Sequence, residues 1–171
     1  NSRSPSARSL KNNMLNDIFK RKIRKGRELN TKPRIIVDIH EKDSAIAANL
    51  IELGAEINLV SLQIGDFVIG DVIFERKTFS DFISSMLSKR LIEQLNQLKN
   101  HKSILILENY KEMSEIKGNL NPNSVRGMIL SIISDYNIPI IFTKNSDETS
   151  DYLYLFAKRQ LKPNVEIGLH S

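Results

Sequence analysis

Apolar residues recur along the chain with two periods, which divide it into short strands and longer helices. Consecutive apolar residues are typical of buried strands and predict strands at 34–39, 57–62, 67–69, 72–77, 103–108 and 138–143. Apolar positions three and four residues apart predict helices at 45–53, 79–87 and 91–100, a fourth opening at Asn121-Pro122, and a closing helix capped by Ser146 or Asp147.

The order of these elements indicates the fold class. Gly70-Asp71 is a hairpin-type dipeptide between two short strands, so these strands should be antiparallel. The later strands alternate with helices, and such crossovers join parallel strands. We therefore predict an α/β fold with a central mixed sheet flanked by helices on both faces.

Composition is that of one ordinary globular domain. The chain has 171 residues, of which 40% are hydrophobic and 26% charged, and no cysteine. The absence of cysteine excludes disulfides and thiolate metal sites, so a metal would be held by oxygen or histidine. No apolar run approaches the length of a membrane span, and the N-terminus lacks the apolar core of a signal peptide. We expect an intracellular protein without a membrane partner.

The basic charge is concentrated at the N-terminus. Residues 1–33 contain ten lysines and arginines against Asp17 and Glu28, whereas the other residues contain fifteen basic and eighteen acidic side chains. We predict a basic, disordered arm at 1–33, which serves either as a solvated linker or as a contact to a phosphate backbone. A folded domain at 34–161 and a C-terminal tail at 162–171 complete the predicted organisation.

The candidate chemistry lies in the stretch GDVIFERKTFSDF, residues 70–82. In a strand, alternate side chains share a face, so Glu75 and Lys77 should project together while Arg76 projects to the opposite face. A hairpin at Gly70-Asp71 would fold the strand of Asp66 back against that of Glu75. Two carboxylates and one ammonium group would then converge at one end of a strand pair.

This trio suits metal-assisted hydrolysis of a phosphodiester. Mg²⁺ prefers oxygen ligands, and two carboxylates with a backbone carbonyl supply them, with Asp38 as a third candidate carboxylate. A lysine beside the ion can share the charge of the phosphate. The alternative from these residues alone is that Glu75 and Lys77 form only a surface pair on an edge hairpin.

Several motifs in order resemble the XPF family of structure-specific DNA endonucleases, which carries the restriction-endonuclease-like PD-(D/E)xK fold. ERKTFSD (75–81) matches the family's ERKxxxD signature, VDIHE (37–41) its VDxRE, GDF (65–67) its GDY or GDF, and KRLIEQLNQL (89–98) its GRLxxQxxxL. The stretch from NPNSVRGMIL to YLFAKRQ (121–160) is most similar to archaeal helicase-nucleases of the Hef type. His40 departs from the pattern, because the family usually has arginine there.

The resemblance implies a role for individual residues. The metal ligands would be Asp38, Asp66 and Glu75, and the catalytic set would add Arg76, Lys77 and Asp81. A capping role explains Asp81 equally well. Residues implied in DNA binding are His40, Glu41, Arg90 and Gln94, and those implied in a dimer interface are Arg126, Ile129, Ile133 and Tyr136. For Arg90 and Gln94 the alternative is a solvated helix face. For the apolar residues Ile129, Ile133 and Tyr136 the alternative is a core position.

The resemblance implies a divalent-metal-dependent endonuclease, using Mg²⁺ or Mn²⁺, that cuts branched DNA such as 3′ flaps and forks near the junction. It also implies a homodimer, a preceding helicase domain, a following helix-hairpin-helix domain, and a location in an archaeal cytoplasm or nucleoid, or in a nucleus. Two alternatives are a non-catalytic partner subunit and a restriction-fold nuclease for RNA or four-way junctions.

Overall fold

A computed structural model describes residues 32–111, 115 and 118–161. Most of the predicted basic arm and the predicted C-terminal tail lie outside the described residues. In the described part of the chain, a six-stranded sheet is combined with five α-helices and one 3₁₀ turn. The strands are β1 Arg34–Asp38, β2 Glu56–Val60, β3 Phe67–Ile69, β4 Val72–Thr78, β5 Ser103–Glu108 and β6 Ile140–Thr143. The helices are α1 Ala45–Leu53, α2 Phe79–Leu87, α3 Arg90–Leu98, α4 Pro122–Ser134 and α5 Ser146–Gln160.

The sheet is mixed, with the strand order β2-β1-β3-β4-β5-β6. β3 and β4 form the predicted antiparallel hairpin, in which Phe67 lies opposite Phe74. β4, β5 and β6 run parallel to one another, as the intervening helices required. β1 lies between its parallel neighbour β2 and its antiparallel neighbour β3, so the direction of the sheet changes beside the hairpin.

Helices cover both faces of the sheet and bury two apolar clusters. On one face, Phe67 and Phe74 pack with residues of α1 and α5, such as Leu50 and Leu153. On the other face, Leu105 and Leu107 of β5 pack with residues from α2, α3 and α4. These layers confirm the predicted fold class, and they place β4 in the middle of the sheet between the two clusters.

The helix ends follow from local capping, with small differences from prediction. Gly54 ends α1 with a φ of 101°, a left-handed conformation that favours glycine. β1 ends at Asp38 and is followed by a 3₁₀ turn, Ile39–Glu41, because the Asp38 side chain caps this turn. The side chain of Asn145, rather than Ser146 or Asp147, accepts the hydrogen bond that caps α5. None of the helices in the described residues is both long and apolar enough to cross a membrane.

Candidate active site

Strand β4 sorts its charged side chains between the two faces of the sheet. Phe74 is buried in the cluster under α1 and α5, and Arg76 projects to the same face. Lys77 lies on the other face, where it lines a cavity with residues of α2 and α3. The predicted separation of Arg76 from its two neighbours in sequence is therefore present in the strand.

Asp66 joins the first strand to the hairpin through three hydrogen bonds. Its main-chain N–H donates to the Phe74 carbonyl at 2.9 Å, and its carbonyl accepts from the Asp38 N–H at 2.8 Å. Its carboxylate Oδ2 accepts from the Arg76 N–H at 2.8 Å. These contacts hold the Asp66 carboxylate beside β4, one residue before β3 begins.

The Asp66 carboxylate is close enough to Glu75 to affect the ionisation of Glu75. Burial raises the pKa of Glu75 to about 7, and the negative charge of Asp66 adds to this effect while Lys77 opposes it. Burial likewise raises the pKa of Asp66 to about 6, against the Arg76 hydrogen bond and the Lys77 charge. Glu41 raises both pKa values further. Lys77 therefore acts electrostatically on both carboxylates, as neighbouring charged groups do.

Asp38 is buried near this pair, but its carboxylate is engaged elsewhere. Oδ1 accepts from the Leu62 N–H at 2.8 Å, and Oδ2 contacts the His40 Nδ1 at 2.7 Å. Burial would raise the pKa of Asp38, but these hydrogen bonds outweigh it and hold the pKa below its usual range. His40, which stands where the resembled family has arginine, remains an exposed partner of Asp38.

A cavity of about 300 Å³ connects Lys77 to the helical layer. Asp81, Arg90 and Gln94 also line it, so four of the predicted site residues meet in one place. The Gln94 Oε1 atom is buried and has no hydrogen-bond partner within the described residues. An unpartnered polar atom in a cavity is costly unless water or a ligand reaches it.

Asp81 and Arg90 both have structural partners as well. The Asp81 N–H donates to the Thr78 Oγ1 at 3.2 Å, which is the predicted cap of α2, and the Asp81 carboxylate lies in the first helical turn. The Arg90 Nε donates to the Ser88 Oγ at 3.2 Å while the side chain stays exposed. Neither contact removes the two side chains from the cavity.

Glu108 is a component that the sequence patterns did not identify. The Arg76 guanidinium binds it bidentately, with Nε to Oε2 at 2.8 Å and an Nη to Oε1 at 2.5 Å. Oε2 also accepts from the Thr149 Oγ1 at 2.8 Å, and Thr149 in turn contacts the Thr143 hydroxyl. The available signal was a carboxylate at the end of the apolar run SILILE, since a buried carboxylate requires a partner.

The four residues implied in a dimer interface are not equivalent. Arg126 is exposed and contacts Asn123 at 3.0 Å, and Ile133 is 48% exposed. Ile129 and Tyr136 pack partly against the core, which agrees with the alternative stated for them. The neighbouring Leu130 is 64% exposed and was not predicted.

The donor set fits a hard divalent cation. Asp66 and Glu75 offer carboxylate oxygens, burial disfavours the charged form of both, and the Asp66 charge further disfavours a charge on Glu75, so a cation between them would relieve these effects. Within the described ranges, no group of three acidic or histidine side chains converges for metal binding. Asp66 and Glu75 are the two carboxylates that would hold such a cation, and the Asp38 N–H binds the Asp66 carbonyl.

We expect Glu75→Gln to stabilise the metal-free protein at pH 8. The pKa of Glu75 is higher in the folded state than in the unfolded state. The protein is therefore most stable below the unfolded-state pKa, where Glu75 is protonated, and it loses this stability as pH rises through about 7. The variant should gain up to about 3 kcal/mol of folding stability over the wild type at pH 8, and a smaller amount at pH 5. Thermal denaturation in EDTA at both pH values measures it.

The matched control for this experiment is Asp71→Asn on the same hairpin. Asp71 is exposed and pairs with Lys102 at 3.5 Å, so its loss should change stability by less than about 1 kcal/mol at either pH. A gain in the Glu75 variant that did not depend on pH would contradict the assigned cause. Mg²⁺ should raise the melting temperature of the wild type and not that of Glu75→Gln.

A family model and several known proteins match this chain in sequence. The ERCC4 domain model matches residues 37–156. A Methanocaldococcus jannaschii protein that carries the name ATP-dependent RNA helicase is 45% identical over 129 residues, which cover 74% of this chain and 16% of that protein. The 3′-flap repair endonuclease Xpf of Saccharolobus solfataricus is 28% identical over 143 residues, which cover 81% of this chain and 61% of that protein. The chain thus spans less than two thirds of the length of either relative.

Solved structures give the same result for the fold. XPF from Aeropyrum pernix superposes with a TM-score of 0.70 at 28% identity, over 76% of this chain and 66% of that one. The same protein in a complex with DNA gives a TM-score of 0.70 at 29% identity, over 78% of this chain and 68% of that one. These matches confirm the predicted restriction-endonuclease-like fold and the predicted resemblance, and the chain belongs to the ERCC4 domain family.

Proposed function

We propose that this chain is the nuclease domain of a structure-specific endonuclease of DNA repair, which hydrolyses phosphodiester bonds in branched DNA near the junction. The observation that carries the proposal is the electrostatic contact of Lys77 with both the Asp66 and Glu75 carboxylates. Lys77 also lines a cavity with Arg90 and Gln94. The relative named 3′-flap repair endonuclease and the neighbour solved with DNA support this substrate class.

The residues divide the chemistry between them. Asp66 and Glu75 would hold Mg²⁺ or Mn²⁺, which when bound supplies positive charge against the phosphate oxygens. Lys77 places an ammonium group on the same side and offsets charge that builds on the scissile phosphate. Arg76 fixes Asp66 through its backbone N–H and is itself fixed through its side chain. Asp81 combines a capping contact with a position on the cavity.

Arg90 and Gln94 are the proposed contacts to the DNA backbone. They lie one helical turn apart on α3, with Arg90 exposed and the Gln94 Oε1 unpartnered within the described residues. Glu41 lies close enough to the carboxylate pair to raise the pKa of both members. His40 instead binds the carboxylate of Asp38, the residue whose N–H donates to the Asp66 carbonyl.

The larger assembly is also part of the proposal. The helicase name of one relative suggests that a helicase domain accompanies this one in the full-length protein, and the family resemblance suggests a helix-hairpin-helix domain.

We propose a homodimer through the exposed part of α4, which comprises Arg126, Leu130 and Ile133. Sedimentation of the chain up to about 100 µM tests this, and a monomer throughout contradicts it. A repair nuclease acts inside the cell, and an archaeal source is the proposal we favour.

Cleavage of a labelled substrate panel tests the function. With Mg²⁺ or Mn²⁺, we expect cuts near the junction of a 3′ flap and a splayed fork, and much weaker cleavage of a four-way junction, linear duplex or RNA of the same sequence. EDTA should abolish all cleavage. Binding without cleavage at any metal concentration would favour the non-catalytic partner subunit, and preferred cleavage of RNA or the four-way junction would favour the other restriction-fold alternative.

A further inference from the structure

A second cavity lies beside the catalytic one, at the carboxyl ends of β4 and β5. It has a volume of about 450 Å³, and Thr78, Phe79, Ser80 and Ser84 line one side of it. Asn109 and Lys111, which follow β5, line the other side. Ser84 also lines the cavity of Lys77, so the two cavities are neighbours across α2. Crevices at the carboxyl ends of parallel strands are common ligand sites in α/β folds.

A fixed group of three aromatic rings adjoins this second cavity. The Phe79 and Tyr110 rings meet edge to face, with centroids 4.7 Å apart, and the Tyr110 and Phe142 rings do so at 5.0 Å. Phe79 is buried, whereas Tyr110 and Phe142 are 40% and 44% exposed. Two large aromatic surfaces are thus held in place and still open to solvent, beside a polar crevice.

The backbone explains why Tyr110 and Lys111 project from the sheet. Asn109 has a φ of 58°, a left-handed conformation that asparagine tolerates better than most residues. Its N–H donates to the Thr143 carbonyl at 2.8 Å, which ties the turn to the end of β6. The turn therefore ends β5 sharply, with Lys111 lining the cavity and Tyr110 against the Phe79 ring that also lines it.

The chemistry of the lining selects for an unpaired nucleotide. Exposed aromatic rings stack with nucleobases, and a nearby lysine pairs with the phosphate backbone. The hydroxyls of Ser80 and Ser84 and the amide of Asn109 can bind the base edge or the sugar. Glu115 also lines the cavity, so a free phosphate would be repelled there, whereas a base amino group could donate to this carboxylate. Bases within a duplex have both ring faces covered by their neighbours and could not stack in this way.

We propose that this second cavity, with Tyr110 and Lys111 at its edge, binds one unpaired nucleotide of the DNA strand next to the junction. This subsite rests on the proposed nuclease function and deepens it, because it would recognise the branch rather than the sequence. It positions the duplex so that the adjoining phosphate lies at the Lys77 cavity. No residue that holds the cation is part of it.

Base-specific fluorescence in EDTA tests the subsite with the full chain. Splayed forks carry a single 2-aminopurine at successive unpaired positions, and stacking quenches its fluorescence. We expect quenching at one or two adjacent positions by the wild type and by Tyr110→Phe. Tyr110→Ala should remove the quenching and weaken fork binding at least about fivefold. Lys111→Ala should weaken fork binding, with a smaller salt dependence than the wild type.

Matched controls lie on α5, where Tyr152 is 42% exposed and Lys158 is also exposed. Tyr152→Ala and Lys158→Ala should leave the quenching and the binding unchanged. Tyr110→Leu, which keeps an apolar contact with Phe79, replaces Tyr110→Ala if the latter melts early. Quenching that survives loss of the Tyr110 ring overturns the proposal. The same holds if a Tyr110 substitution changes the oligomeric state but leaves the quenching unchanged, because the ring would then serve a protein interface.

The outcome is distinguishable from failure of the proposed function. Tyr110-dependent quenching in a chain that never cuts DNA with Mg²⁺ or Mn²⁺ would leave the subsite standing and remove the nuclease activity. Cleavage of forks without Tyr110-dependent quenching would support the nuclease activity and remove the subsite.

Discussion

Lys77→Met is expected to lower the rate of fork cleavage about 10²- to 10³-fold while the protein stays folded. The Lys77 ammonium is the positive charge that acts on both carboxylates of the pair, and it lines the cavity where the phosphate would lie. Its removal takes charge away from the transition state. Methionine keeps most of the apolar length of the side chain, so the packing of β4 against β5 should survive. Single-turnover cleavage and circular dichroism measure the two effects.

Glu75→Gln should have a larger effect on the same reaction, because it removes one of the two proposed acidic ligands. Loss of cleavage with retained fork binding is the expected pattern, and high Mn²⁺ should restore part of the rate.

The matched control for Lys77→Met is Lys102→Met. Lys102 is 70% exposed, directly precedes β5 and pairs only with Asp71 among the described residues. If Lys77→Met and Lys102→Met cut forks at similar rates, the catalytic assignment of Lys77 fails.

The distribution of charge along β4 was predictable because it depends only on local geometry. The two-residue period of a strand decides that Glu75 and Lys77 share a face, and the Gly70-Asp71 turn decides that Asp66 returns beside them. The ends of the helices were predictable for the same reason, because they depend on residues next to them in sequence. Thr78 caps the start of α2, and Gly54 ends α1. Errors of one or two residues arose where neighbouring caps compete, as with Asn145 and Ser146.

The position of β1 in the sheet was not predictable in the same way. Its neighbours β2 and β3 pair with it in opposite directions, and only the packing of the whole sheet selects this order. The direction of the Asp38 carboxylate depends in turn on the 3₁₀ turn and on Leu62, which is 24 residues away. A sequence motif can therefore mark Asp38 as a site residue without revealing that its oxygens are bound by other groups.

Glu108 shows the limit of pattern matching most clearly. Arg76 and Glu108 are 32 residues apart, and their contact follows from the parallel register that places Arg76 opposite Ile106, so that Glu108 is the next residue of β5 on the same face. The sequence required a partner for each charge but did not identify the pair. The pair matters for the site because Arg76 also donates its N–H to Asp66, so its side chain and its backbone act on different parts of the site.

Arg76→Met is expected to cost about 3–5 kcal/mol of folding stability, the second large effect. It leaves the Glu108 carboxylate, which is 5% exposed, with Thr149 as its remaining side-chain donor among the described residues. Burial would raise the pKa of Glu108, but Arg76 and Thr149 outweigh it and hold the pKa below its usual range. A lowered folded-state pKa gives stability that is present above the unfolded-state pKa and lost as pH falls through the folded-state pKa. The cost of Arg76→Met should therefore be largest near pH 7 and smaller in acid.

A double-mutant cycle that combines Arg76→Met with Glu108→Leu separates stability from positioning. Replacing both partners with apolar side chains should recover much of the stability lost in Arg76→Met alone, since no buried charge is then left unpaired. Denaturant unfolding of the four proteins gives the coupling energy, and single-turnover cleavage gives the rate at saturating fork. If the double variant regains stability but stays slow, the bidentate contact positions Asp66 and Glu75 through β4. Full recovery of the rate would instead mean that the pair contributes only to stability, because any well-packed side chains on that face then hold the strand equally well.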